Sequence, residues 1–300
     1  MKPEKLRNVH VVPMTAFDDA GQLALEPMRQ LITRLAEAGT QVYLPAAGTG
    51  EFHSLSEAEI VRVVELVREV AGPDAVVLAP VGLQIGHALS VGRGALGVGA
   101  DAVLVMPPTA PYLSDVGLRD YYMTILDELD CPTLFYKRGD FPTDDLVLDL
   151  ASHSNVVGIK YAGTSVDAFQ RLALRGAGLT EWLCGLAEPY APSFMLAGAP
   201  GYTTGAGNLA PRVTLAMHAA IRRGDWQEGM RLQRLIRPIE DFRARKGSSY
   251  NISALKYAIR VTGLDFGLPR PPQRRLTADE IRELEDIVAP LLAAEEELRG

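Results

Sequence analysis

Lys160 stands where an apolar run is expected to continue. In NVVGIKYAG, Asn155 to Gly163, the residues Val156, Val157, Gly158 and Ile159 have the composition of a strand covered on both faces, and an ammonium then interrupts them. The chain uses 24 Arg and six Lys, and between Lys5 and Lys246 only Lys137 and Lys160 occur, so arginine carries the surface charge and a lysine here needs a reason. Desolvation favours the neutral form of an amine, and a neutral amine attacks a carbonyl carbon to form a Schiff base, which arginine cannot do. The plainer alternative is a lysine that snorkels from a strand end or pairs with a carboxylate.

Tyr136 closes the run PTLFYK at a depth similar to that of Lys160 in its own run, so neighbouring strands would set phenol and amine on one wall of a pocket. Alternation then turns Gly158 and Val156 inward with Lys160, and turns Lys137 outward if Tyr136 faces in. Lys137, followed by Arg138 and Asp140, reads as part of a polar loop and is the weaker nucleophile. In AAGTGEF, the small residues Gly48 and Gly50 and the Thr49 hydroxyl could form a concave anion site suited to a carboxylate. A tight turn that needs glycine explains the same residues. Arg138, for the distal end of a substrate, and Thr203, in GYTTG, complete the candidate substrate contacts.

Other chemistries find less support. The histidines His10, His53, His87, His153 and His218 show no metal-ligand spacing, and no GxSxG occurs. Gly92, Gly94 and Gly97 match GxGxxG but end a helical stretch and precede a strand, the reverse of a dinucleotide site, so close helix packing is expected. Neither a nicotinamide cofactor nor a metal is expected.

These groups need a frame. Apolar runs recur at intervals of roughly 20 to 35 residues with amphipathic stretches between them, the pattern of repeated βα units. Strands are expected at HVVPM from His10, QVYLPA from Gln41, AVVLAP from Ala75, DAVLVMPP from Asp101, PTLFYK from Pro132, NVVGIK from Asn155, EWLCG from Glu181 and GYTTG from Gly201. Capping boxes predict helix starts at Ser56 to Glu59, Asp225 to Glu228 and Thr277 to Glu280. The fold class is therefore α/β, a (β/α)8 barrel over 1–224 with a C-terminal helical extension over 225–300, in preference to a doubly wound open sheet. Active sites of such barrels lie at the C-terminal ends of the strands, where Tyr136, Lys160 and the Gly48–Gly50 turn fall.

Composition narrows the partners. A chain of 300 residues, 47% hydrophobic and with a formal charge of -7, lacks the clustered basic surface that nucleic acid requires. Two cysteines, Cys131 and Cys184, make no disulfide framework. No signal-peptide core precedes Pro13, and the uncharged stretch from Ala75 to Gly92 is broken by Pro80, Gly82 and Gly86. A cytoplasmic protein is expected, with small molecules or copies of itself as partners and no membrane contact.

Together, GTGEFHSLSEAE, LFYKRGD and VVGIKYAG resemble the dihydrodipicolinate synthase and N-acetylneuraminate lyase family, (β/α)8 lyases that form Schiff bases with 2-oxo acids. VVPMTAFDDAGQL, PPTAPYLSDVGL and GYTTGAGNLAP extend the likeness over nearly the whole chain. The resemblance implies that Lys160 is the Schiff-base lysine, Tyr136 the proton-transfer group, and Gly48 with Thr49 the pocket for a substrate carboxylate. It also implies a homo-oligomer, a tetramer or dimer, without cofactor or metal. Thr109 and Ala110 replace the tyrosine pair of the synthase, and Phe141 stands where that enzyme has an arginine. The AAGTGEF loop and Tyr136-Lys137-Arg138 resemble instead the branch containing 5-dehydro-4-deoxyglucarate dehydratase, although Tyr161 after Lys160 departs from it. A dehydratase of a 2-oxo-3-deoxy sugar acid is the expected activity. The alternatives are an aldolase, a pyruvate condensation of the synthase type, and a non-catalytic sugar-acid binding or regulatory protein.

Overall fold

The computed structural model describes residues 1–299. Eight parallel strands close into a barrel in chain order: β1 Val9–Val11, β2 Val42–Tyr43, β3 Val76–Val81, β4 Ala102–Val105, β5 Thr133–Lys137, β6 Val156–Tyr161, β7 Glu181–Cys184 and β8 Tyr202–Thr204. Pairing of Val9 with Tyr202 and of Val11 with Thr204 shuts the ring, so the open sheet is excluded. Each run expected from the sequence overlaps one strand, but β1 begins one residue before its run, at Val9, and β3 and β6 each end one residue beyond theirs, at Val81 and Tyr161.

The helices α1 Leu25–Glu37, α2 Glu57–Ala71, α3 Ile85–Gly97, α4 Asp115–Leu129, α5 Asp144–Ala151, α6 Val166–Arg175, α7 Ala191–Leu196 and α8 Pro211–Arg222 alternate with the strands. After them come α9 Trp226–Arg243, the single turn α10 Arg245–Ser248, α11 Asn251–Ala258 and α12 Ala278–Glu297. Ser56 and Glu59 form the reciprocal capping box that starts α2, and Thr277 and Glu280 do the same for α12. At α9 only half of the expected box exists. Asp225 accepts from the Glu228 N–H, but the Glu228 carboxylate turns to Arg231.

Of the glycines of GRGALG, Gly92 and Gly94 serve close packing, whereas Gly97, at the end of α3, faces open space. A Cβ at Gly92 would stand 2.5 Å from Leu129 Cδ1 and one at Gly94 2.8 Å from Val61 Cγ2, so these positions let α3 lie against α4 and α2. The N-terminal end of the barrel is closed by the 3-10 turn Pro3–Leu6, whose Leu6 side chain lies against Gly158 inside the ring. At the other end the late helices join the barrel core through Ile236, Phe242, Leu255 and Leu291. Glu295 of α12 also accepts from the Val213 N–H at 3.0 Å, satisfying an orphan donor in the first turn of α8.

Candidate active site

β5 and β6 pair in register, Tyr136 opposite Lys160, and the Lys160 Nζ lies 4.0 Å from the centroid of the Tyr136 ring. Alternation along β6 sends Gly158 and Lys160 inward together, as Leu6 packing on Gly158 shows. Lys160 is only 6% exposed, so it does not snorkel, and no carboxylate pairs with it among the described residues. Burial pushes its proton affinity below the ordinary 10.5, the Arg138 charge adds to that, and Tyr136 and Cys184 push back. The Cys184 thiol is itself pushed up to about 12 by burial, so it presents no thiolate to hold the ammonium.

Gly185, just past β7, makes room for this lysine. A Cβ there would fall 2.8 Å from Lys160 Cγ and 2.8 Å from the Tyr161 carbonyl oxygen, which already accepts the Gly185 N–H at 2.6 Å. Lys137, expected in a polar loop, is instead the last residue of β5 and is buried facing outward. Its ammonium donates to the carbonyls of Pro142 at 2.7 Å and Gly139 at 3.0 Å, because a cation buried beside a turn finds acceptors in the turn's backbone.

β2 lies four strands from β6 in an eight-strand ring, so the Gly48–Gly50 turn faces Lys160 across the mouth. Gly48 is exposed, Thr49 half-buried and Gly50 buried. Gly50 is needed for close approach: a Cβ would stand 2.9 Å from the Pro13 carbonyl oxygen, and the Thr15 hydroxyl donates to the Gly50 carbonyl at 2.7 Å. Ala46 and Glu51 flank the turn with φ of 55 and 66, left-handed values that cost a non-glycine residue roughly 1–3 kcal/mol each and persist only under outside restraint.

Thr203 pairs with His10 across β8 and β1. Its neighbour Tyr202 points outward, donating to the Thr214 carbonyl of α8, so Thr203 faces the interior. His10 is buried there with Nε2 2.7 Å from the Leu6 carbonyl oxygen, and burial pushes it down to about 4. Arg138 is exposed on the rim after β5. His53 is likewise exposed.

The sequence reading missed three groups. Arg243 of α9, 3% exposed, donates to Thr49 Oγ1 at 3.4 Å. Its signal was present: Leu232, Ile236 and Ile239 precede it at helical spacing, so an arginine occupies the apolar stripe of α9 as Lys160 occupies an apolar strand. Lys256 of α11 forms an ion pair with Glu51 at 2.6 Å, both side chains fully buried. Glu188, also fully buried, accepts from the Thr204 hydroxyl, and burial followed by the nearby Glu240 raises its proton affinity. Clefts of about 580 Å³ between α1, α8 and α12, and of about 560 Å³ at the N-terminal rim beside Arg7 and Trp182, include none of Lys160, Tyr136 and Thr49.

A model of the dihydrodipicolinate synthetase family matches residues 5–291. A Streptomyces avermitilis protein named "Probable 5-dehydro-4-deoxyglucarate dehydratase 1" is 32% identical over 284 residues, 92% of this chain and 90% of its own. The crystal structure of a dihydrodipicolinate synthase from Bacillus clausii superposes with a TM-score of 0.91 at 30% identity, covering 98% of this chain and 99% of that one. A sialic acid aldolase from Ruminococcus gnavus, at 20% identity and a TM-score of 0.90 over 98% of this chain and 99% of that one, shares the fold.

Proposed function

The chain belongs to the dihydrodipicolinate synthetase family and is a lyase of the Schiff-base class, and from that premise we propose that Lys160 condenses with the ketone of a 2-oxo-3-deoxy sugar acid, 5-dehydro-4-deoxyglucarate or one like it, and eliminates water from it. The observation that carries this reading is the buried Lys160 amine, deprived of a counter-ion and held 4.0 Å from the Tyr136 ring centroid.

The neutral amine adds to C2 of the ketone, forming an N–C bond, and the carbinolamine hydroxyl leaves as water with a proton delivered by the Tyr136 phenol. The iminium withdraws electrons from C3. Loss of a C3 proton to the Tyr136 phenolate gives an enamine, whose electrons expel the C4 hydroxyl as the phenol returns that proton, releasing a second water and leaving a conjugated iminium. Where C5 carries a carboxylate, that iminium is a vinylogous sink for the C5–C6 bonding pair, and carbon dioxide departs. Where carbon dioxide has left, the dienamine takes up a proton at C3 to restore the iminium and the C5 enol becomes an aldehyde; hydrolysis of the iminium by water then returns the amine. Gly48 and Thr49 receive the C1 carboxylate, with Gly50 and Thr203 beside them and Arg138 toward the distal end.

In this reading 1–224 is the unit that carries the chemistry and 225–300 a helical extension that braces its mouth. The protein works as a cytoplasmic dimer or tetramer, which light scattering of the purified chain checks. Among the described residues no helix is long and apolar enough to cross a membrane.

The test is reduction with borohydride in the presence of pyruvate. A mass increase mapping to Lys160 is expected; no adduct, or one on Lys137, defeats the assignment. A panel of 2-oxo-3-deoxy sugar acids, followed for semialdehyde and carbon dioxide against pyruvate, separates elimination from cleavage of the C3–C4 bond, which would make the enzyme an aldolase.

A further inference from the structure

The geometry points to Arg243 as a positioning residue that acts through Thr49 to make the site prefer ketones bearing a carboxylate; the inference rests on the Schiff-base reading above. Arg243 comes from α9, outside the eight βα units, yet its guanidinium reaches the mouth. A Cβ at Gly205, just past β8, would lie 2.5 Å from both Nη atoms, so the guanidinium packs directly on the chain as it leaves β8.

The fork is held on three sides. Nε donates to the Asn251 carbonyl at 3.0 Å, Nη2 to Asn251 Oδ1 at 2.9 Å, and Nη1 to Glu240. With its plane fixed, Nη2 also donates to Thr49 Oγ1 at 3.4 Å. A hydroxyl oxygen that accepts from a cation must send its own proton elsewhere, and accepting polarises the O–H and strengthens it as a donor. Glu240 offsets the charge of Arg243, so the influence is local, carried by the aim of one O–H rather than by a field across the mouth. Lysine could supply the charge but not the planar fork.

Rates of borohydride trapping with pyruvate and with its uncharged methyl ester, each relative to wild type, test this. Thr49 is half-buried, and Thr49→Val replaces its hydroxyl by a methyl group of similar size. The change is expected to slow trapping of pyruvate by about tenfold or more, the worth of a hydrogen bond to a charged group, and to slow the ester clearly less. Arg243→Gln is expected to show the same selective loss, Arg243→Lys to recover part of it, and the Thr49→Val/Arg243→Gln pair to lose no more than the worse single change. Asn251→Ala frees one side of the fork without removing the charge and is expected to give a smaller loss of the same selectivity, which keeps the test open if Arg243→Gln does not fold. Equal slowing of both ketones by Thr49→Val, or losses that multiply in the double variant, would overturn the inference. Failure of the wild-type protein to trap either ketone would instead remove the Schiff-base reading beneath it.

Discussion

A buried lysine works as a nucleophile only in its neutral fraction, and at Lys160 burial enlarges that fraction. The sign follows directly. The folded protein holds the Lys160 proton less tightly than the unfolded chain, so the charged lysine costs stability at low pH, and the cost fades as pH rises toward 10.5. The rate of pyruvate trapping is expected to rise with pH through a midpoint below 10.5; a midpoint at the value of an exposed lysine would contradict the buried setting. Lys160→Arg keeps charge and bulk but is expected to abolish trapping. Tyr136→Phe removes only the phenolic hydroxyl, so turnover is expected to fall by about 10²–10⁴-fold with little change in substrate affinity, read as kcat against Kd. His10 adds a stability signature of its own. Its shift from 6.5 to about 4 contributes about 3 kcal/mol that is present above pH 6.5 and lost as pH falls toward 4, so His10→Gln is expected to flatten the urea midpoint over that window.

At the scale of elements, the ends of the strands set the side chains, and Gly185 is the most exacting of these ends. Its missing Cβ leaves the space that the Lys160 stem uses, bounded by the Tyr161 carbonyl, which cannot yield without breaking the hydrogen bond between β6 and β7. Gly185→Ala is expected to cost about 1–3 kcal/mol and to slow trapping sharply, because the strain falls on the nucleophile itself. Gly97→Ala is the control: nothing lies within 4 Å, and alanine at the end of α3 is expected to leave trapping unchanged and to stabilise slightly. Equal trapping rates in the two variants would remove the role given to Gly185. Elements of this kind were legible because strands covered on both faces and amphipathic helices write their burial into local composition, as in Val156–Tyr161 and in the stripe Ile60, Val63, Val64 and Val67. The juxtaposition of Tyr136 and Lys160 was legible too, since neighbouring strands fix it. The partners of Thr49 and Glu51 were not. Arg243 and Lys256 lie some two hundred residues further along, and no local spacing says which loop a late helix will cover.

Across the whole molecule, the late helices supply the outside restraint that the turn after β2 requires. Glu51, in a left-handed conformation, reaches Lys256 at 2.6 Å and accepts the Arg270 N–H at 3.0 Å, while the Arg270 side chain grips Glu59 at the start of α2 and the carbonyls of Ser54 and Gly21. Phe17 lies against both cations, each 4.1 Å from its ring centroid. Burial is the dominant influence on both members of the ion pair, raising the Glu51 proton affinity and lowering that of Lys256. Lys256→Met therefore strands a buried carboxylate and is expected to cost about 3–5 kcal/mol, whereas Glu51→Gln with Lys256→Met leaves no buried charge and is expected to cost clearly less than the sum of the single changes. Without its cation, Glu51 keeps a proton in the folded state that it loses in the unfolded chain above about 4.5, so the deficit of Lys256→Met grows as pH rises from there. Urea midpoints at pH 5 and pH 8 check this. A deficit that is the same at both, or a double variant as weak as the two single losses together, would mean that the contact between tail and loop is packing alone and that the charges hold nothing in place.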